Sequence, residues 1–366
     1  MTDVARHPLV FSPNQPARFY RGGAGLARFR GVAQGSAYTP EDFVASTTEL
    51  FTGGGVGLSL LADGQTLRSA VEADPEAFLG PDHVARFGAN VGVLVKLLDT
   101  GERLLVHFHP GGDFARSHLG CAHGKNEAWL ITDVVRDGAD DSSGAAFLGF
   151  TTAVDADTVA AWVASQDRSA MLGALNRVEL HAGDTVFVPT GVPHAIGAGV
   201  TMVEAQEPLD LSILLEWEGF AIDGPSEGHL GVGFPTALTA LDRSAWSTER
   251  VHALLDTRAD AVAQPGVTTL LPEAADPYFR AERLDLDGSA SFPAEFAVLV
   301  VVGGDATLDS EHGDPVKVTR GSTVLVPYAA GATTVTGRLS ALRCRPASPA
   351  DTTVDWTSAT HGRIGA

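Results

Sequence analysis

One seven-residue block occurs twice in this chain. Gly183-Asp-Thr-Val-Phe-Val-Pro189 is echoed 138 residues later by Gly321-Ser-Thr-Val-Leu-Val-Pro327. Each copy reads as a glycine turn into a short strand that stops at proline. Glycine takes backbone angles closed to other residues, and proline cannot donate to a ladder. A strand this short is stable only inside a larger sheet, so two copies in strand-rich surroundings point to a duplicated β unit. The supply of turn residues agrees, with 41 Gly and 20 Pro in 366 residues, above the usual share. At 44% apolar and 19% charged, the chain can bury a sizeable core, and wholesale disorder is excluded.

Charge and hydropathy remove further classes. The formal net charge is −20, from 45 acids against 25 bases, and no Lys/Arg cluster offers a polyanion a landing place, so a nucleic-acid partner is not expected. The longest apolar run, residues 296–302, is far too short to span a bilayer. Residues 1–10 lack an apolar stretch of signal-peptide length, and the expected location is the cytoplasm. Cys121 and Cys344 are too few for a disulfide framework and lack CxxC spacing. Lysine is scarce, at positions 96, 125 and 317 only.

The pattern of elements is mainly β. Residues 91–99 (VGVLVKLLD), 103–110 (RLLVHFHP) and 126–135 (NEAWLITDVV) read as strands, followed by a polar turn at 137–144. Leu67, Val71 and Phe78 fall at rough helical spacing, interrupted by Pro75. A second helix is expected around 154–176, capped by Asp155 or Asp157, with Val159, Trp162 and Val163 on one face. Strand signals return from Val178 as VEL, TVFVP, GVTMVEAQ and LSILLEW, and residues 223–245 are rich in Gly, Pro and Ser turns that suit a link between two halves.

Chemistry concentrates in a few places. His107 and His109 are one residue apart on an expected strand, so both imidazoles share a face and could bind one metal ion. Lys125, Glu127 and Trp129 likewise share a face. Residues 183–194 (GDTVFVPTGVPH) then deliver His194 at the end of a strand and a Gly/Pro turn. An HxH, a later Glu and a G-x5-P-x-G-x2-H block make the pattern of a cupin metal site. Three imidazoles and a carboxylate suit one divalent ion, zinc foremost, with manganese or iron also compatible. Met202, Glu204 and Gln206 share the strand face opposite Val203 and Ala205, and the two polar groups suit a lumen wall.

Over essentially its whole length the sequence resembles the type I mannose-6-phosphate isomerases. The resemblance rests on FYRGG (19–23), PEDFVAST (40–47), LVKLLD (94–99), VHFHP (106–110), GKNEAW (124–129), VPTGVPHAIGAGV (188–200) and VEAQEPLDL (203–211), in family order. It implies two cupin (jelly-roll) barrels: a metal-binding domain over 1–235 that includes the helical insert, and a degenerate C-terminal cupin over 236–366. The second copy keeps Gly321 and Pro327 but has no histidine matching His194. The implied metal ligands are His107, His109, Glu127 and His194, although the family has Gln at the place of His107. Lys125, Glu204 and His123 are the implied or candidate proton-handling residues, and Gln206 and Asp210 would contact substrate. Where the family's D-x-T-x-R-L motif carries an arginine, this chain has Leu214.

The implied activity is metal-dependent interconversion of an aldose, as a hexose or hexose phosphate, with its ketose by proton transfer through an enediol. The partner would be that small sugar, with no membrane involved; the oligomeric state is not legible. Leu214 leaves two routes open: another arginine reaches in, or the substrate differs and is unphosphorylated. The rivals are another cupin enzyme, a dioxygenase or epimerase, and a non-catalytic sugar-binding cupin. Cys121 reads as an inert thiol, and His118 and His181 have no supporting pattern.

Overall fold

In a computed structural model the described residues are 3–136, 141–255, 258, 262–350 and 352. Strands and short helices fill them. In chain order the first strands are β1 (Leu9–Val10), β2 (Glu41–Val44), β3 (Leu94–Asp99), β4 (His107–Phe108), β5 (Glu127–Val134), β6 (Ala145–Phe150), β7 (Leu175–Glu179), β8 (Thr185–Val188), β9 (His194–Ile196), β10 (Val200–Gln206) and β11 (Ile213–Leu214). After them come β12 (Val262–Gln264), β13 (Val267–Thr269), β14 (Phe279–Phe292), β15 (Ala297–Ser310), β16 (Val316–Thr319), β17 (Thr323–Val326) and β18 (Thr333–Pro346). All ladders are antiparallel.

The strands form three sheets, ordered β2-β3-β10-β5-β8, β11-β4-β9-β6-β7 and β1-β17-β15-β18-β14-β13-β12, with β16 pairing β15. The first two stack face to face, as in a jelly roll, through a core that includes Leu98, Trp129, Met202, Leu148 and Ile196. The third sheet curls around its own core, where Leu284, Leu299, Leu308 and Val335 meet. Among the described residues no ladder closes into a ring. The architecture is mainly β and cupin-like, as the sequence implies.

Alternation along β5, β8 and β10 explains how the layers stack. Trp129, Val186 and Met202 face the second sheet. Ala128, Leu130, Phe187, Val203 and Ala205 face the other way, against Phe279, Ala281, Val300 and Leu342 of the third. Helices Leu67–Ala73 and Pro75–Leu79 add Leu67, Val71 and Phe78 to that shared core, and Pro81–Phe87 packs Val84 against it. The single interrupted helix expected there is three. Pro75 and Pro81 each sit at a first helical position, where a missing N–H costs nothing, so each restarts the backbone rather than only bending it.

The helical insert is present as Ala156–Ser165 and Arg168–Gly173. Asp155 caps the first helix by accepting from the Thr158 N–H at 2.8 Å. The strand expected over 103–110 pairs only at His107 and Phe108. Upstream, Arg103 turns to Glu216, whose carboxylate also accepts from the Val106 N–H at 3.0 Å, so side-chain bonds replace part of the ladder. The first half of the turn expected at 137–144, residues 137–140, lies outside the described residues. No helix among the described residues is long and apolar enough to cross a membrane.

Candidate active site

The stacked sheets each contribute one wall of a cavity of about 260 Å³. Register puts the histidines together on the second sheet. His107 of β4 lies directly opposite His194 of β9 on one side and Leu214 of β11 on the other. Directly opposed residues in an antiparallel pair share a face, and His109 follows His107 at the same-face spacing. The rings are 4.2 Å apart for His107 and His194, 4.9 Å for His109 and His194, and 5.0 Å for His107 and His109.

Backbone carbonyls fix which nitrogen of each ring is available. Nδ1–H donates to the Leu105 carbonyl from His107 at 2.9 Å, to Leu211 from His109 at 2.7 Å, and to Val192 from His194 at 2.9 Å. A ring that donates through Nδ1 keeps its lone pair on Nε2. The ligand-capable atoms of the three residues lie within 4.8 Å of one another. Burial, reinforced by the neighbouring imidazoles, holds His107 well below its ordinary pKa. Burial and then the Lys125 ammonium bring His109 to about 4. Both rings are therefore neutral lone-pair donors at physiological pH.

The first sheet faces them with charge. Across its register Phe43, Lys96, Glu204, Trp129 and Val186 form one directly opposed row, and Leu94, Gln206, Glu127 and Val188 form the next. Glu127 reaches across to His109 Nε2 at 2.9 Å and His194 Nε2 at 3.4 Å. It also accepts from the Trp129 indole at 2.9 Å. Burial alone would raise its pKa, but Lys125 at 3.0 Å and His109 hold it well below the carboxylate range.

Three imidazoles and this carboxylate fit a divalent metal ion by two signs. His194 Nε2 is buried without a hydrogen-bond partner. The Lys125 ammonium sits 3.2 Å from His109 Nε2, so the donor set already draws a cation to itself.

Beside this centre lies a buried ionic network. Lys96 Nζ is 3.2 Å from Glu204, 3.6 Å from Glu41 and 3.9 Å from Asp210. Burial opposes its charge, but the three carboxylates outweigh burial and raise its pKa. Arg18 pairs with Asp210 at 2.9 Å and Glu41 at 3.4 Å, and Tyr20 donates to Glu41. Burial would raise the Asp210 carboxyl, yet Arg18 and Lys96 hold it far below its ordinary value. Glu204 goes the other way: burial raises it, against Lys96. Its Oε1 lies 3.2 Å from Lys96 and 3.6 Å from Lys125 without a well-formed hydrogen bond.

The structure brings His107, Lys125, Glu127, Glu204 and Asp210 to the cavity wall. His109 and His194 stand behind it in the cluster. His123 and Gln206 are not among the lining residues. His123 is buried beside Asn90 at 2.6 Å and Glu207 at 3.4 Å. The Gln206 amide donates to the Leu209 carbonyl at 2.6 Å. Sequence reasoning passed over Lys96, Arg18, Tyr20 and Glu41. The signal for Lys96 was in view, a scarce lysine in the middle of an apolar strand; Arg18 carried none, because Asp210 lies 192 residues away.

Fold and cluster together define a cupin-type β protein with a histidine site able to hold a metal ion. Within that class the chain is a divergent relative of the type I mannose-6-phosphate isomerases. It is 28% identical over 251 residues to the Bacillus subtilis protein "Mannose-6-phosphate isomerase ManA", covering 67% of this chain and 71% of that one. It is 26% identical over 333 residues to "Probable mannose-6-phosphate isomerase GmuF" of the same organism, covering 90% and 96%. The fold matches the crystal structure of the mannose 6-phosphate isomerase from Bacillus subtilis with a TM-score of 0.72 at 21% identity, over 92% of this chain and 99% of that one. A phosphomannose isomerase from Salmonella typhimurium matches at 0.67 and 15%, over 93% and 99%. No protein-family profile matches the chain.

Proposed function

We propose that the chain is a metal-dependent aldose–ketose isomerase acting on a hexose or hexose phosphate through an enediol. The observation that carries this is the convergence of three Nε2 lone pairs opposite Glu127, with Lys125 and Glu204 in the same cavity wall. The relatives named above support the reaction class. His107, His109, Glu127 and His194 would hold the ion, zinc foremost, with manganese and iron(II) compatible with the same donors. Bound there, a divalent ion supplies Lewis-acid polarisation of the sugar oxygens.

The remaining work falls to this chain's side chains. An isomerase must take a proton from one carbon and return it to the neighbouring one. The Glu204 carboxylate is suited to that step: burial raises its pKa and so its basicity, and its Oε1 is free of well-formed hydrogen bonds. The Lys125 ammonium, within 3.6 Å of Glu204, would donate to the oxygen on which charge develops. Lys96 approaches the same Glu204 oxygen at 3.2 Å and fixes the carboxylate's aim. His123, turned to Asn90 and Glu207, is left out of this assignment.

The test is proton NMR in D2O with metal-loaded protein and a panel of hexoses and pentoses, each with and without phosphate. Deuterium should enter C1 or C2 of at least one sugar. Absence of exchange across the panel, with the metal confirmed bound, sinks the proposal. Oxygen consumption would then mark a dioxygenase, and sugar binding without exchange a binding protein.

A further inference from the structure

We infer that the cavity selects an uncharged sugar over one carrying a phosphate, an inference that rests on the isomerase reading above. Among the described residues three cations line the cavity, Arg18, Lys96 and Lys125. Five carboxylates oppose them: Glu41, Glu127, Glu204, Asp210 and Glu227. None of the cations faces the cavity alone. Arg18 is shared by Asp210 at 2.9 Å and Glu41 at 3.4 Å. Lys96 is held by Glu204 at 3.2 Å, Glu41 at 3.6 Å and Asp210 at 3.9 Å. Lys125 is held by Glu127 at 3.0 Å and Glu204 at 3.6 Å.

A phosphate monoester carries close to two negative charges at neutral pH and is held by cations or backbone N–H groups with capacity to spare. To bind here it would have to displace a carboxylate from a buried cation, leaving that carboxylate unpaired in the interior. A divalent ion at the histidines brings the lining near charge balance, but at the end where the carbonyl reacts. Among the described residues, the wall beyond the histidines offers nothing cationic. Leu214 stands directly opposite His107 in the ladder, with Leu105, Ile222 and Leu230 also lining the cavity. Glu227, exposed on that side, adds a repelling carboxylate. Carboxylates are acceptors only, so this lining matches the hydroxyl donors of an unmodified sugar. Of the two routes left open by Leu214, an arginine does reach in, but Arg18 arrives already neutralised.

The experiment is calorimetric titration of the metal-loaded protein with a neutral hexitol and with the same hexitol 6-phosphate, at low and moderate salt. It is run beside D2O exchange on fructose and fructose 6-phosphate. The phosphate is expected to bind at least about tenfold more weakly, with the gap widest at low salt, and fructose to exchange with the higher kcat/KM. Equal or tighter binding of the phosphate overturns the inference and, with exchange on fructose 6-phosphate, leaves the isomerase reading standing. Failure of both hexitols to bind also overturns it. Preferential binding of the neutral hexitol with no exchange on either sugar upholds the selectivity and overturns the isomerase reading instead.

Discussion

Lys96 is 1% exposed, a charged side chain where apolar ones would ordinarily pack. Its ammonium is the common counter-charge for Glu204, Glu41 and Asp210. Lys96→Met keeps the volume and removes the charge, leaving Glu41 and Asp210 to share Arg18 and Glu204 with only Lys125 at 3.6 Å. Removing one partner of a buried network costs about 3–5 kcal/mol, and Glu204 loses its fixed aim. Denaturant midpoints should fall accordingly, and kcat/KM for exchange should drop at least about a hundredfold. A variant of wild-type stability and activity would show the network to be incidental. The histidines were legible because HxH alternation and a Gly/Pro turn are local signals. Lys96 was half-legible, since its scarcity and apolar surroundings mark it, whereas its partners come from two other segments, at Glu41 and at Glu204 to Asp210. The Arg18–Asp210 pair exists only once the chain has folded across 192 residues, and no spacing rule reaches that far.

At the scale of elements, the repeated block is the clearest case of sequence becoming structure. Thr185–Val188 and Thr323–Val326 occupy the same four places in their copies, and every residue of both is buried. Gly183 and Gly321 both hold left-handed angles, φ +97° and +88°. Each carbonyl accepts from a distant arginine, Arg283 at 2.8 Å and Arg30 at 3.1 Å. The surroundings differ. A Cβ at Gly183 would meet only the end of Arg283 at 3.8 Å, while one at Gly321 would lie 2.5 Å from the Phe29 carbonyl oxygen. Gly183→Ala should therefore cost about 1–2 kcal/mol, the backbone price of a left-handed residue. Gly321→Ala should cost at least about 1 kcal/mol more, because a backbone segment must move. Urea midpoints of the two variants decide this; equal losses would mean that the Phe29 segment yields freely. Short paired elements were the least legible. The two residues of β4 and the two of β11 are strands only because each finds a partner, and their sequence matches longer candidates equally well.

At the scale of the molecule, the third sheet is stitched to the other two rather than hung from a linker. β1 (Leu9–Val10) leaves the start of the chain to pair with β17. Arg30 bonds Asp42 on one side and Thr323 on the other. The apolar core between the sheets combines Phe187, Val203 and Ala205 with Phe279, Ala281 and Val300, and the Phe187 and Phe279 rings meet edge to face at 6.3 Å. Nothing in the sequence pointed to this contact: alternation shows that β8 and β10 each have an apolar outer face, not what covers it. We propose that the two units expected over 1–235 and 236–366 do not unfold separately, because either one alone would expose this face to water. Scanning calorimetry should show one endotherm, with loss of sheet signal by circular dichroism at the same temperature. Phe279→Ala, by emptying a fully buried ring site, should cost about 3–5 kcal/mol. It should lower the whole transition by roughly 5–10 °C without splitting it. Two resolved endotherms in the wild-type protein, or a variant in which only one part of the signal moves, would show that the shared core joins the units too weakly to make them one cooperative body.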